Sequence, residues 1–134
     1  MKKNLAIIGY GGQGAWHANW AQKSDVVSLA GIYDIAEKRV NAAKENGIHT
    51  YASFEEALAD PKVDIVLCAT PNDVHKEIVI RALEAGKNVV CEKPVALSVA
   101  AVGYGISETA RFTDNGDCAV SEGNHLGKTA RLAL

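Results

Sequence analysis

The 134-residue sequence has little cysteine, and no pairing pattern within it. Cys68, Cys91 and Cys118 form no CxxC pair, and their odd number argues against a disulfide framework. Cys68 and Cys91 end apolar runs and read as buried thiols. There is no excess of charge of either sign: the net charge is -2, which gives no general affinity for nucleic acid. There is no long apolar run either. Lys2 and Lys3 precede a stretch too short to cross a membrane, with flanks unlike those of a signal peptide. A cytoplasmic protein without a membrane partner is the expectation. Internal repeats and low-complexity segments are absent. The length allows one domain with a real core and not two full ones.

What is present is a soluble globular balance, 48% apolar and 22% charged, arranged as alternating strands and helices. "NLAIIG" is a short apolar strand. "GQGAWHANWAQK" is a helix, with Ala15, Trp16, Ala18, Asn19 and Ala21 offered for packing. "VVSLAGIYD" is a second strand ending in an acid. "IAEKRVNAAKENG" is a helix with Ala36, Val40 and Ala43 on one face and Gly47 as its stop. "IHTY" reads as a short third strand. "SFEEALAD" carries a capping box, Ser53 with Glu56, and Pro61 follows its end. "VDIVLCA" is a fourth strand. "NDVHKEIVIRALEAG" is a helix with Val74, Ile78, Ala82 and Leu83 inward and Gly86 at its end. "NVVCEK" is a fifth strand. Near-continuous apolar strands alternating with helices predict an α/β fold, a doubly wound parallel sheet covered on both faces. Its binding crevice is expected at the carboxyl ends of the strands.

The first strand runs into Gly9-x-Gly11-x-x-Gly14, and a helix opens there. Asp34 ends the second strand twenty positions after Gly14. In that context G-x-G-x-x-G reads as a dinucleotide seat. Gly9 allows the tight turn, Gly11 the approach of a pyrophosphate, and Gly14 close packing of helix on strand. The loop, with Gly12 and Gln13, presents helix N–H groups to the phosphates. Asp34 is placed to accept from the adenosine ribose hydroxyls. A carboxylate there repels a 2′-phosphate, so NAD is expected rather than NADP. Ile35 stands where an arginine would soften that repulsion, and Arg39 lies one helical turn further on.

Two further stretches fall at strand carboxyl ends. In "ATPNDVH", Thr70 and Pro71 follow the fourth strand, and Asn72 or Asp73 is expected to cap the next helix. His75 sits in that helix's first turn, facing either solvent or the cofactor. In "CEKPV", Glu92, Lys93 and Pro94 follow the fifth strand. A lysine there can stabilise a developing alkoxide, and Glu92 can hold the lysine in place.

Gly9-x-Gly11-x-x-Gly14 with His17, Thr70-Pro71-Asn72 with His75, and Glu92-Lys93-Pro94 together resemble the cofactor domain of the Gfo/Idh/MocA oxidoreductases. The resemblance covers about residues 3 to 99. It implies a Rossmann domain binding NAD or NADP, and hydride transfer to or from a sugar, polyol or related hydroxy compound. It makes Lys93 the active-site lysine. It puts Thr70, Pro71, Asn72 and His75 on the nicotinamide side and Glu92 near the cofactor ribose. His17 is the weaker candidate for a supporting role.

The resemblance divides the chain into a Rossmann unit, 1–100, and an atypical tail, 101–134. Family members continue into a second α/β domain, so a chain truncated before that domain, or a frameshifted reading frame, is the expectation here. A helix over Ser98 to Arg111 is interrupted by Gly103 and Gly105. "GNHLGKT" has three residues between its glycines where a Walker A loop has four. His125 and Cys118 do not make a zinc site, and no metal is expected. A non-catalytic dinucleotide-binding module or an inactive remnant is the alternative function. An exposed apolar sheet edge also predicts a homo-oligomer.

Overall fold

The computed structural model describes residues 2–71 and 74–91 in full, and the backbone of 110–112, 118–120 and 131–133. Four parallel strands form its first part: β1 (Lys3–Ile8), β2 (Val27–Tyr33), β3 (Ile65–Cys68) and β4 (Asn88–Cys91). Three short strands, β5 (Ala110–Phe112), β6 (Cys118–Val120) and β7 (Arg131–Ala133), extend the same sheet. The order is β2-β1-β3-β4-β7-β6-β5. β7 pairs parallel with β4 and antiparallel with β6, and β6 pairs antiparallel with β5. The helices are α1 (Gly12–Lys23), α2 (Glu37–Glu45), α3 (Phe54–Ala59) and α4 (His75–Glu84).

Alternation along the strands feeds two cores. Leu5, Ile7, Ile32 and Leu67 cluster with Ala18, Ala21 and Ala43 of α1 and α2. Ala6, Ile8, Val66, Cys68, Val89 and Cys91 cluster on the other face with Phe54 and Ala57 of α3 and with Val79, Ala82 and Leu83 of α4. Ile7 and Val66 have no exposed surface; burying such a side chain fully contributes about 1.5–3 kcal/mol. With helices on both faces, the doubly wound arrangement expected from the apolar runs is the one observed.

The chain leaves β1 toward β2 on one side and later enters β3 on the other. The strand order therefore reverses at β1, which opens a crevice at its carboxyl end.

Four local expectations are corrected. "IHTY" is not a strand: it makes one parallel bridge, Thr50 to Ile32. Ile32 N–H donates to the His49 carbonyl and Tyr51 N–H to the Ile32 carbonyl, and the chain then turns into the Ser53 cap. In α1 the buried residues are Gly14, Ala18 and Ala21, spaced four and three apart as one helical stripe. Trp16 and Asn19 lie off that stripe and are exposed. In α4 the inward face is His75, Val79, Ala82 and Leu83. Val74 precedes the helix as its N-cap residue and is exposed, whereas Ile78, half-buried, packs against the core as expected.

The capping box is present. Ser53 Oγ accepts from Glu56 N–H at 3.0 Å, while the Glu56 carboxylate accepts from the Ala52 N–H. Gly47 and Gly86 follow α2 and α4 at positive φ, as expected of helix stops. The helix expected over 98–111 lies outside the described residues except for Ala110 and Arg111, which stand in β5. Among the described residues no helix is long and apolar enough to cross a membrane.

Candidate nucleotide-binding site

The turn from β1 into α1 is built around Gly9. Its φ is +99°, and a Cβ there would sit 2.5 Å from the Ala69 carbonyl oxygen. Its N–H donates to the Tyr33 carbonyl at 2.8 Å, tying the turn to the end of β2. Gly14 lies on the buried side of α1, where a Cβ would fall 1.9 Å from the Gly9 carbonyl oxygen. These two glycines are required by the protein's own packing. Gly11 and Gly12 are not. A Cβ on Gly12 would meet nothing within 4 Å, and one on Gly11 only the Arg39 guanidinium at 3.7 Å. Gly11 is the N-cap residue of α1, no side chain caps that helix, and no acid stands in its first turn. Gln13 beside them is exposed. A helix start left uncapped by side chains, next to glycines with open space in front of them, suits an incoming anion.

Asp34 sits one residue beyond β2 and is buried at 7% exposure. Oδ2 accepts from Tyr10 N–H and Oδ1 from Ala36 N–H, both at 2.8 Å. The carboxylate therefore ties the glycine turn to the start of α2, and Oδ1 retains a further lone pair. Arg39 Nη1 lies 3.4 Å from Oδ2, so the arginine one turn on does reach the acid.

A cleft of about 450 Å³ opens beside these groups, lined by Gly9, Asp34, Ile35, Arg39, Thr70 and Pro71 among others. Ile35 is 89% exposed at its rim. Arg81 forms a second rim: it lies 4.8 Å over the Phe54 ring and pairs with Glu55 and Glu77. That cluster clamps α3 to α4 along one wall. The sequence reading did not include it, because Phe54, Glu55 and Arg81 come together only in the fold. The Arg81 hydrogen bond holds the Glu55 carboxyl below its ordinary range.

His75 is 1% exposed rather than solvated. Its Nε2 is hydrogen-bonded to the Thr70 carbonyl, so its ring supports the Thr70-Pro71 turn from beneath. Cys68 and Cys91 are buried thiols, as expected. A hydrogen bond with the Cys91 thiol brings the Cys68 thiol down to about 6 against the opposing effect of burial, with Thr70 and His75 adding to the shift. His17 is half-buried, its ring edge-on to Trp16. Asn72, Asp73, Glu92, Lys93 and Pro94 lie outside the described residues.

Comparison with known proteins agrees with this geometry. A family model described as "Oxidoreductase family, NAD-binding Rossmann fold" matches residues 3–111. The chain is 37% identical over 109 residues to a myo-inositol 2-dehydrogenase of Thermotoga maritima, covering 80% of this chain and 33% of that protein. An NAD-binding protein from Listeria innocua superposes with a TM-score of 0.73 at 49% identity, covering 76% of this chain and 30% of that one. A scyllo-inositol dehydrogenase from Lactobacillus casei, solved with NAD(H) and scyllo-inositol, superposes with a TM-score of 0.72 at 27% identity over 80% and 32% of the two chains. The chain thus spans about a third of the length of these relatives.

Proposed function

Because this chain belongs to the Gfo/Idh/MocA oxidoreductase family and is its NAD-binding Rossmann unit, we propose that it holds NAD for hydride transfer to or from a sugar, polyol or related hydroxy compound. One observation carries the cofactor part. Gly9 and Gly14 are closed by the protein's own backbone, while at the uncapped start of α1 Gly12 faces open space and Gly11 only the Arg39 side chain. In this reading the pyrophosphate lies over Gly11, Gly12 and Gln13. The adenosine ribose reaches the remaining lone pair of Asp34 Oδ1. Ile35 and Arg39 flank the adenine end of the cleft. A 2′-phosphate would meet the Asp34 carboxylate, already engaged by Arg39, so NAD is favoured over NADP.

The nicotinamide supplies the hydride chemistry when bound. Thr70 and Pro71 border its end of the crevice, with Asn72 following and His75 bracing the turn from below. Lys93, two positions after β4 in the sequence, donates to the substrate oxygen and stabilises the alkoxide that develops there. Glu92 holds the ribose region. The sugar or polyol class is supported by the inositol dehydrogenases among the relatives. The reading places a working enzyme of this kind in the cytoplasm.

The test is thermal unfolding of this chain with NADH and, separately, NADPH. A ligand that binds only the folded state at a hundredfold excess over its dissociation constant adds about 2.7 kcal/mol. The expected result is a rise in Tm that is larger with NADH. No rise with either nucleotide overturns the proposal, and a larger rise with NADPH overturns the role given to Asp34.

A further inference from the structure

Beneath the Thr70-Pro71 turn, three side chains outside the cleft converge. Cys68 ends β3 and Cys91 ends β4, and the two are direct partners in the parallel register. Both belong to the core on the α4 side of the sheet, and His75 enters that side from the first turn of α4. Their exposures are 0%, 2% and 1%. One ligand atom from each lies within 4.8 Å of the other two. The dinucleotide reading uses neither thiol.

We propose that Cys68, His75 and Cys91 form a binding site for a thiophilic divalent metal ion of the Zn²⁺ class.

Four features of the site support this. The first is donor type: two sulfurs and an imidazole select soft or borderline metals over Mg²⁺ or Ca²⁺. The second is spacing. An ion with metal–sulfur bonds of about 2.3 Å holds its ligands about 4 Å apart, so closure from the present spacing needs a side-chain shift of less than about 1 Å. The third is charge. Two thiolates and a neutral imidazole offset the charge of a divalent cation, so the buried site is left neutral, with a fourth tetrahedral position open to a water molecule. A monovalent ion on the same two thiolates would leave a buried negative charge.

The fourth is the outer shell. A backbone carbonyl only accepts, so the His75 ring donates from Nε2 in its bond to Thr70. Metal-bound histidines are held by this kind of second hydrogen bond. Thr70 Oγ1, 3.4 Å from Cys68 Sγ, adds an oxygen beside the site. The ligands come from two hydrogen-bonded strands and a helix packed on them, so the site is largely formed before the ion arrives. Binding is a balanced exchange: the ion enters, two sulfur–metal bonds form, and the protons of the two thiols leave to solvent.

The test uses the full chain, reduced and kept free of oxygen. It is titrated with Co²⁺ as a spectroscopic stand-in, and then with Zn²⁺ in competition. The expected result is a thiolate-to-cobalt charge-transfer band that saturates at one equivalent and is displaced by Zn²⁺. Cys68→Ala and Cys91→Ala should each weaken binding at least tenfold, and Cys118→Ser should leave it unchanged. X-ray absorption on the Zn²⁺-loaded wild-type chain needs no variant to fold; it should show two sulfurs and at least one imidazole nitrogen around the metal. Three results overturn the proposal: a shell of nitrogen and oxygen only, a band that depends on Cys118, or no metal taken up by a reduced chain that closes a Cys68–Cys91 disulfide in air. The nucleotide titration reads a different site, so either proposal can fail without the other.

Discussion

Within one six-residue turn, glycine is required for two different reasons. At Gly9 and Gly14 the protein's own backbone fills the space a side chain would need. Gly9→Ala combines a positive φ with an overlap on the Ala69 carbonyl, and Gly14→Ala drives a methyl into the Gly9 carbonyl. The first is expected to cost about 2–5 kcal/mol of stability and the second about 1–3 kcal/mol. Gly12→Ala meets open space inside a helix, where alanine is favoured over glycine by about 1 kcal/mol. Gly11→Ala makes only ordinary contact with Arg39. Gly12→Ala should keep or raise the wild-type Tm, and Gly11→Ala, at the N-cap, should cost no more than about 1 kcal/mol; both should lose at least tenfold in NADH affinity, because the added methyl stands where the pyrophosphate approaches. Denaturant unfolding and a fluorescence titration on the four variants check this; equal stability losses at all four would remove the distinction. The glycine spacing was legible because each position answers to a local backbone demand. The burial of His75 was not. The sequence puts His75 in a first helical turn, and only the packing of α4 against β3 and β4 turns its ring onto the Thr70 carbonyl and away from solvent.

At the scale of elements, the segment between α2 and α3 shows where pattern reading failed. "IHTY" has the composition of a strand, but Ile32 takes only one bridge from it before Ser53 starts the next helix. Too few residues separate the two helices for a ladder to grow. Ile48 and Tyr51 anchor this segment in the two cores, and a polar cluster beyond α3 is tied to it through Tyr51. Tyr51 Oη donates to Asp60 Oδ2 at 2.8 Å, and Lys62 N–H donates to Oδ1 at 2.9 Å. Lys87 Nζ donates to the Asp60 and Val63 carbonyls. The backbone bond from Lys62, then the Tyr51 hydroxyl, lowers the Asp60 carboxyl. Burial, then Asp60 itself, raises the Tyr51 phenol. A lowered carboxyl stabilises the fold above its unfolded value of about 3.9 and loses that contribution as pH falls through the folded value. A raised phenol stabilises below about 10 and loses that contribution as pH climbs above it. The stability difference between wild type and Tyr51→Phe should therefore be flat between about pH 5 and 9 and shrink on both sides. Urea unfolding from about pH 2 to about pH 11 measures it, and a difference that does not change over that whole span would show that the pair makes no titrating contribution. The Ser53 cap was readable because a capping box is confined to four consecutive residues. The Tyr51–Asp60 pair spans a helix and was not.

For the molecule as a whole, the four parallel strands and the helices between them were visible in the sequence as apolar runs and helix stops; their order in the sheet was not. The outer three strands were not visible. A three-residue strand is too short to show a period of two, and scattered glycines hide its ends. Their place in the sheet nevertheless matters to its stability. β7 is an interior strand: Leu132 pairs with Val89 of β4 and with Cys118 of β6. Proline at that position removes the N–H and crowds the ladder on both sides. If β7 is integral to the sheet, Leu132→Pro lowers the Tm of the entire chain. It also uncovers the outer edge of β4 at Val89 and Val90, a row of unpaired backbone groups that invites pairing between molecules. Light scattering should then show concentration-dependent self-association beyond that of the wild type. The glycine turn and Asp34 lie at the other side of the sheet, on β1 and β2, so the NADH-induced rise in Tm should persist in whatever fraction stays folded. An unchanged Tm and unchanged scattering would mean that the four parallel strands with their helices stand without β7, and that the outer strands contribute nothing to the stability of the nucleotide-binding unit.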